Sequence, residues 1–185
     1  MTLTRDTFCS FCGTAYQAPP LSYPRTCMSC KTQVWANPVP VSVVLVPVVG
    51  DGRTGLLVVR RAIEPAINKL ALVGGFLEEH ETWAEGGARE IHEETGVVVD
   101  ATKLTPFFFT STSPRPNRVL LFSTAEPVDR STLGPAVKNA ETSERGLVFG
   151  PLGLIDIFAF PLHTEAAVRF FAERGLTGDH AYEQV

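Results

Sequence analysis

The stretch from Gly74 to Val97 constrains this chain more than any other, because its residues spell a strand end followed by a capped helix. Thr82 with Glu85 three residues on matches a capping box, and Gly96 stands where a helix ends on a left-handed residue. Ala84, Ala88 and Ile91 recur at helical spacing and give the segment a face to bury, so a helix is predicted over 82–95. The same segment carries Glu90, Glu93 and Glu94. At about 100° per residue, offsets of three and four hold these carboxylates within roughly 100° of one another. Just upstream, the pair Gly74-Gly75 lets backbone approach a ligand closely.

Glu90 and Glu94 are like charges at i,i+4, which destabilises a helix by roughly 0.2–0.5 kcal/mol. A run of glutamates is in the ordinary case a solvated helix face. Placed after a diglycine, it also suits a hard divalent cation, since Mg²⁺ takes oxygen ligands and bridges to substrate phosphates. Such an ion polarises a phosphoryl oxygen, orients water and neutralises a leaving group.

All four cysteines precede residue 31, as Cys9-Ser10-Phe11-Cys12 and Cys27-Met28-Ser29-Cys30, with fourteen residues between the pairs. Two such turns offer four thiolates to one tetrahedral Zn²⁺, a closed and therefore structural site. Disulfides would imply export, and a thioredoxin-like redox pair would occur once beside a βαβ unit. Neither fits. The segment carries only Arg5, Arg25 and Lys31 as basic residues, so a nucleic-acid ribbon is not favoured.

Beyond Trp35-Ala36-Asn37-Pro38 the pattern changes. Strands are predicted over 40–46, 56–61, 70–73, 97–99, 105–110, 118–125 and 147–152, with 50–55 as a long hairpin loop and a second helix over 164–174 ended by Gly175. Hydrophobic residues at 44% and charged residues at 19% belong to a globular chain with a real core. The net charge of −4 offers no field for nucleic acid, and no apolar run approaches the roughly 20 residues of a membrane span. The first twelve residues lack the pattern of a signal peptide, so a cytoplasmic location is expected.

Read in full, Gly75-x5-Glu81-x7-Arg89-Glu90-Ile91-x-Glu93-Glu94-x-Gly96-Val97 resembles the complete Nudix box. The resemblance implies that Glu90, Glu93 and Glu94 bind catalytic Mg²⁺ or Mn²⁺, with the Gly74 carbonyl as a further oxygen. It implies that Arg89 braces the glutamates through a buried salt bridge and that Glu81 supports the loop, sometimes through an outer metal. The extra ligand or general base is left open between the box and Glu141 or Glu144. A zinc ribbon, an Asn-Pro linker and this box together resemble a narrower group that includes NADH, ADP-ribose and FAD pyrophosphatases. In that comparison Arg61 and Gly75 are candidate substrate contacts. Two departures stand out. The loop 110–117 lacks the aromatics of the NADH enzymes' Ser-Gln-Pro-Trp-Pro-Phe-Pro motif, and Leu70-Ala71-Leu72-Val73 replaces the usual Trp-x-Leu-Pro before the glycines.

The expected architecture is therefore α/β: a zinc ribbon over 1–36, with Cys9, Cys12, Cys27 and Cys30 as ligands, then a Nudix α/β/α sandwich with a mixed sheet over 37–185. The expected function is Mg²⁺- or Mn²⁺-dependent hydrolysis of a phosphoanhydride in a nucleoside diphosphate linked to another moiety. The alternative is a regulatory domain that senses nucleotides without turnover. A nucleotide or dinucleotide is the expected partner, with no nucleic acid and no membrane, in a homodimer.

Overall fold

Residues 7–17, 23–113, 117–137 and 139–185 are described by a computed structural model, and the chain divides between Pro38 and Val39 into two units. In the first unit the two cysteine turns repeat one hydrogen-bond pattern. Cys9 N donates to Thr14 O and Gly13 N to Cys9 O; Cys27 N donates to Thr32 O and Lys31 N to Cys27 O, each at 2.9 Å. Gly13 and Lys31 accordingly share a left-handed conformation, with φ of 70° and 63°. A short ladder of β1 (Arg25–Thr26) and β2 (Gln33–Val34) completes the described part of this unit.

The second unit runs β3 (Val39–Leu45), β4 (Pro47–Gly50), β5 (Arg53–Arg61), β6 (Leu70–Phe76), α1 (Trp83–Thr95), β7 (Thr105–Ser111), β8 (Arg118–Thr124), β9 (Val128–Asp129), β10 (Thr142–Val148), α2 (Leu154–Ile157), α3 (Pro161–Glu173) and β11 (Tyr182–Gln184). Its sheet has the order β11-β10-β5-β6-β3-β8-β7. The β3–β8 pair is parallel and the others on this path are antiparallel, which makes the sheet mixed. Strand β5 shows why both faces are covered. Leu56 and Val58 join a core with Phe170 and Phe171 of α3, whereas Leu57 and Val59 join one with Ile91 of α1. A strand with side chains of period two that are apolar on both faces needs a layer on each side.

Strand β6 holds the layers together. It pairs with β5 through Leu70–Leu72 and with β3 through Val73–Phe76. Its alternate residues Leu70, Leu72, Gly74 and Phe76 turn a backbone group to partners outside the ladder: Ala159 N, His163 Nδ1, a Glu94 oxygen and Arg89 Nη2.

Several sequence expectations are corrected. Residues 97–99 are not a strand; the chain leaves α1 at Gly96 and enters a 3₁₀ turn (Ala101–Lys103) that Asp100 caps through Thr102 N at 2.9 Å. The hairpin loop is short, because Asp51 and Gly52 both take positive φ, the two-residue arrangement that matches strand twist. The last large strand begins at Thr142 and ends at Val148, since Glu144 and Arg145 are paired with β5. Helix α3 starts at Pro161, a residue suited to the first helical position. Within the loop 110–117, residues 114–116 lie outside the described residues.

Candidate active site

Helix α1 lies hard against β3. A Cβ at Gly87 would stand 2.9 Å from both Ser42 Oγ and Val44 Cγ2, and Ser42 Oγ donates to Trp83 O at 3.0 Å. The predicted capping box is present, with Thr82 Oγ1 accepting from Glu85 N and Glu85 accepting from Thr82 N.

From the solvent side of this helix Arg89 binds everything around it. Its Nε and Nη2 grip Glu81 as a fork at 3.0 and 2.8 Å, and its Nη1 donates to Glu90 Oε1 at 2.9 Å and Glu93 Oε2 at 3.1 Å. Nη2 also donates to Phe76 O at 3.0 Å, so all five guanidinium N–H donors are engaged. The fork to Glu81 holds the Arg89 pKa above its ordinary value and the Glu81 pKa below its own. Glu81 Oε1 further accepts from Glu78 N at 2.7 Å, so three of its roughly four lone pairs are committed to bracing.

Glu94 and Glu90 face the strand end. Glu94 accepts from Gly74 N at 3.0 Å, and burial pushes its carboxyl up to about 8. Burial also raises the Glu90 carboxyl, although Arg89 opposes it. Both glycines are dictated by crowding. A Cβ at Gly74, whose φ is +154°, would sit 2.2 Å from Ser42 O, and one at Gly75 would sit 2.2 Å from Glu90 Oε1.

The negative charge of Glu141 is among the causes that raise both Glu90 and Glu94, so the loop before β10 brings this carboxylate to the cluster. Glu144 goes elsewhere. Arg145 and Leu147 face α1, whereas Glu144 and Gly146 face Tyr182 on the opposite side of the sheet. There Glu144 accepts from Arg60 Nε at 2.7 Å and Tyr182 Oη at 3.1 Å, and Arg60 draws its pKa down. Of the two loop glutamates expected from the sequence, Glu144 thus lies on the Tyr182 side of the sheet, paired with Arg60. Arg61, expected as a substrate contact, bonds carbonyls of its own loop. Its Nε donates to Pro65 O at 2.9 Å, with Nη2 reaching Ile63 O and Glu64 O at 3.4 Å, and it lies over Phe160. It organises its own loop, while its charge still favours ionised Glu94.

In the first unit the four cysteine sulfurs lie within 4.8 Å of one another, Cys9 and Cys27 buried, Cys12 and Cys30 exposed. The Cys9–Cys30 and Cys12–Cys27 separations are 3.9 and 3.7 Å. A tetrahedral zinc with Zn–S of about 2.3 Å has sulfur–sulfur edges of about 3.8 Å, so the set fits that ion. The Phe11 backbone N–H pulls the Cys9 thiol down to about 6.

A mixed sheet is thus covered on both faces, and its diglycine strand end meets an arginine-braced acidic helix. The NUDIX domain family model matches residues 38–149, and the chain belongs to the Nudix family. The NAD-capped RNA hydrolase NudC of Deinococcus radiodurans is 30% identical over 119 residues, covering 64% of this chain and 41% of that protein. The chain thus matches about two-fifths of that relative's length. A NUDIX hydrolase structure from Nitrosomonas europaea superposes with a TM-score of 0.63 at 24% identity, covering 94% of this chain and 96% of the other. The NUDIX domain of Shewanella oneidensis NrtR, crystallised with ADP-ribose, gives 0.61 at 17% identity, covering 76% and 90%. At these identities the structures speak for the fold. Among the described residues no helix is long and apolar enough to cross a membrane.

Two residues of the site have no counterpart in the sequence expectations. Asn139 and Arg145 both bond carbonyls of the last turn of α1, Glu93 O and Thr95 O, at 2.9 and 2.6 Å. An Asn two residues before a Glu-Thr step is a turn signal. Its partner on α1 is 46 residues away and leaves no local trace.

Proposed function

We propose that this protein is a Mg²⁺- or Mn²⁺-dependent pyrophosphohydrolase. It cleaves the phosphoanhydride of a nucleoside diphosphate linked to a second moiety, of the ADP-ribose, FAD or NADH kind, and releases two monophosphates. The observation that carries this reading is the gathering of Glu90, Glu94 and Glu141 at the Gly74-Gly75 strand end, with Arg89 holding Glu90 and Glu93 by one oxygen each. Like carboxylates with raised pKa values, one of them buried, are a donor set that a hard cation would relieve. Glu90, Glu93 and Glu94 would hold the ions, with the Gly74 carbonyl as a further oxygen.

A bound divalent ion supplies Lewis acidity, an oriented water and charge neutralisation at the leaving phosphate. The chain's own part is to fix oxygens. Arg89 sets the directions of Glu90 and Glu93, Glu81 locks Arg89, and Gly75 leaves the space that Glu90 occupies. Glu141 completes the set, as a further ligand or as the base that accepts the proton of the attacking water. In the first unit Cys9, Cys12, Cys27 and Cys30 would hold one structural Zn²⁺. The reading carries with it a cytoplasmic location and a homodimer.

The test is a panel of ADP-ribose, FAD, NADH, nucleoside triphosphates and diadenosine polyphosphates with Mg²⁺ or Mn²⁺, products identified by mass. The Deinococcus relative is named for NAD-capped RNA, so an RNA bearing that cap joins the panel, against the sequence expectation of no nucleic-acid partner. Release of AMP from ADP-ribose or a dinucleotide, abolished in Glu93→Gln, is the expected outcome. Tight binding without turnover in the wild type would point instead to a sensing domain.

A further inference from the structure

One side-chain amide joins the loop carboxylate to the acidic helix. Asn139 Oδ1 accepts from Glu141 N at 2.8 Å, Thr142 N at 2.7 Å and Thr142 Oγ1 at 3.0 Å. Its Nδ2 donates to Glu93 O at 2.9 Å. A turn at 139–142 needs only the oxygen, because an Asx turn is closed by acceptance from backbone N–H groups two and three residues on. The nitrogen does something further: it fastens that turn to a carbonyl of the last helical turn, where helical acceptors lack their own partners.

We infer that Asn139 is a positioning residue, holding Glu141 by its backbone against the turn of α1 that carries Glu93 and Glu94. The same loop is fastened at its other end. Arg145, almost wholly buried, donates to Thr95 O at 2.6 Å and to Gly134 O at 2.7 Å, while Val137 lies against Gly96. Gly134 and Asn139 are thereby each joined to the end of α1, the first through Arg145 and the second directly, and Glu141 is held there through Asn139. The inference rests on the proposed hydrolase, in which Glu141 belongs to the carboxylate set.

Asn139→Ala, Glu141→Gln and the double variant, each as zinc-loaded full-length protein, separate this role from a plain helix cap. Mn²⁺ binding is titrated with the metal alone, and kcat and KM are measured on the substrate that the panel turns over. Each single substitution is expected to lower kcat by about tenfold or more, as loss of an outer-sphere support does, with KM little changed. The double variant should be no worse than the poorer single one, since both remove the same carboxylate from its place. Multiplying defects, or an unaltered kcat in Asn139→Ala, would overturn the assignment. Should the alanine variant fold poorly, Asn139→Ser keeps a short acceptor for Glu141 N yet cannot reach Glu93 O. Its expected kcat matches Asn139→Ala at a near-native melting point, and a wild-type kcat would count against the tether. A wild-type protein that binds no Mn²⁺ sinks the hydrolase reading itself, a result distinct from the additive pattern.

Discussion

A methyl group at position 75 would stand 2.2 Å from Glu90 Oε1 and 2.5 Å from its carboxyl carbon, closer than bonded neighbours apart, any two such atoms approach. Gly75→Ala must therefore turn the Glu90 carboxylate out of its place. Because that carboxylate sits at the end of a side chain, it can swing aside without unfolding the strand. The expected result is a kcat/KM lowered by about 10²-fold, the cost of misplacing a reactive group by an ångström, with a melting temperature near that of the wild type. Initial rates and a thermal melt of the two proteins check this. At this scale the sequence was informative within one motif: Glu81, Glu90 and Glu93 all bond the Arg89 guanidinium, and Glu94 meets the Gly74 N–H. It could not show that Glu141 and Glu144 take different surroundings. A register shift between Thr142 and Glu144 intervenes, and the face that each residue takes depends on that irregularity rather than on spacing.

Among the elements, α3 is tied to β6 by His163. The imidazole is buried, accepts from Leu72 N at 3.2 Å through Nδ1, and packs edge-on against Phe122 and Phe160. Burial, with the nearby Arg61 charge, depresses its pKa to about 3. The unfolded chain binds a proton at about 6.5 while the folded one does not, so folding stability is complete above that pH and is lost as pH falls toward 3. The slope approaches about 1.4 kcal/mol per pH unit for one group. Urea unfolding at pH 7, 5 and 4 should show this loss in the wild type and a shallower one in His163→Gln; equal slopes would contradict it. Helix α1 was legible because Thr82, Glu85 and Gly96 are local signals, each doing what its residue type dictates. The false strand at 97–99 and the unforeseen α2 and β11 have the opposite cause. Val98 is 79% exposed, and three apolar residues do not make a strand without a neighbour to pair with.

On the scale of the whole molecule, the two units have separate sources of stability. The 39–185 unit has two apolar cores of its own, whereas the first unit gathers its described contacts around four cysteines. A segment that small, if its cysteines hold the proposed zinc, takes its folding energy from that ion. Calorimetry of the zinc-loaded protein and of Cys27→Ser is therefore expected to show a transition that disappears with the metal, alongside one that stays, with about one zinc per chain found by elemental analysis in the wild type only. A single transition that ignores zinc would contradict this. The sequence revealed the layered α/β architecture through apolar strands alternating with helices, but not the order of strands, which is set by pairings far apart in the chain. One consequence follows from the off-ladder partners of β6. Where many proteins would lay another strand alongside, this one substitutes an amide, an imidazole, a carboxylate and a guanidinium. Glu94 is then a foundation of the strand end, because removing its oxygen leaves a part-buried peptide N–H without that acceptor, at a cost of up to roughly 1–3 kcal/mol. An inactive variant at that position has to be shown to be folded before its silence says anything about chemistry.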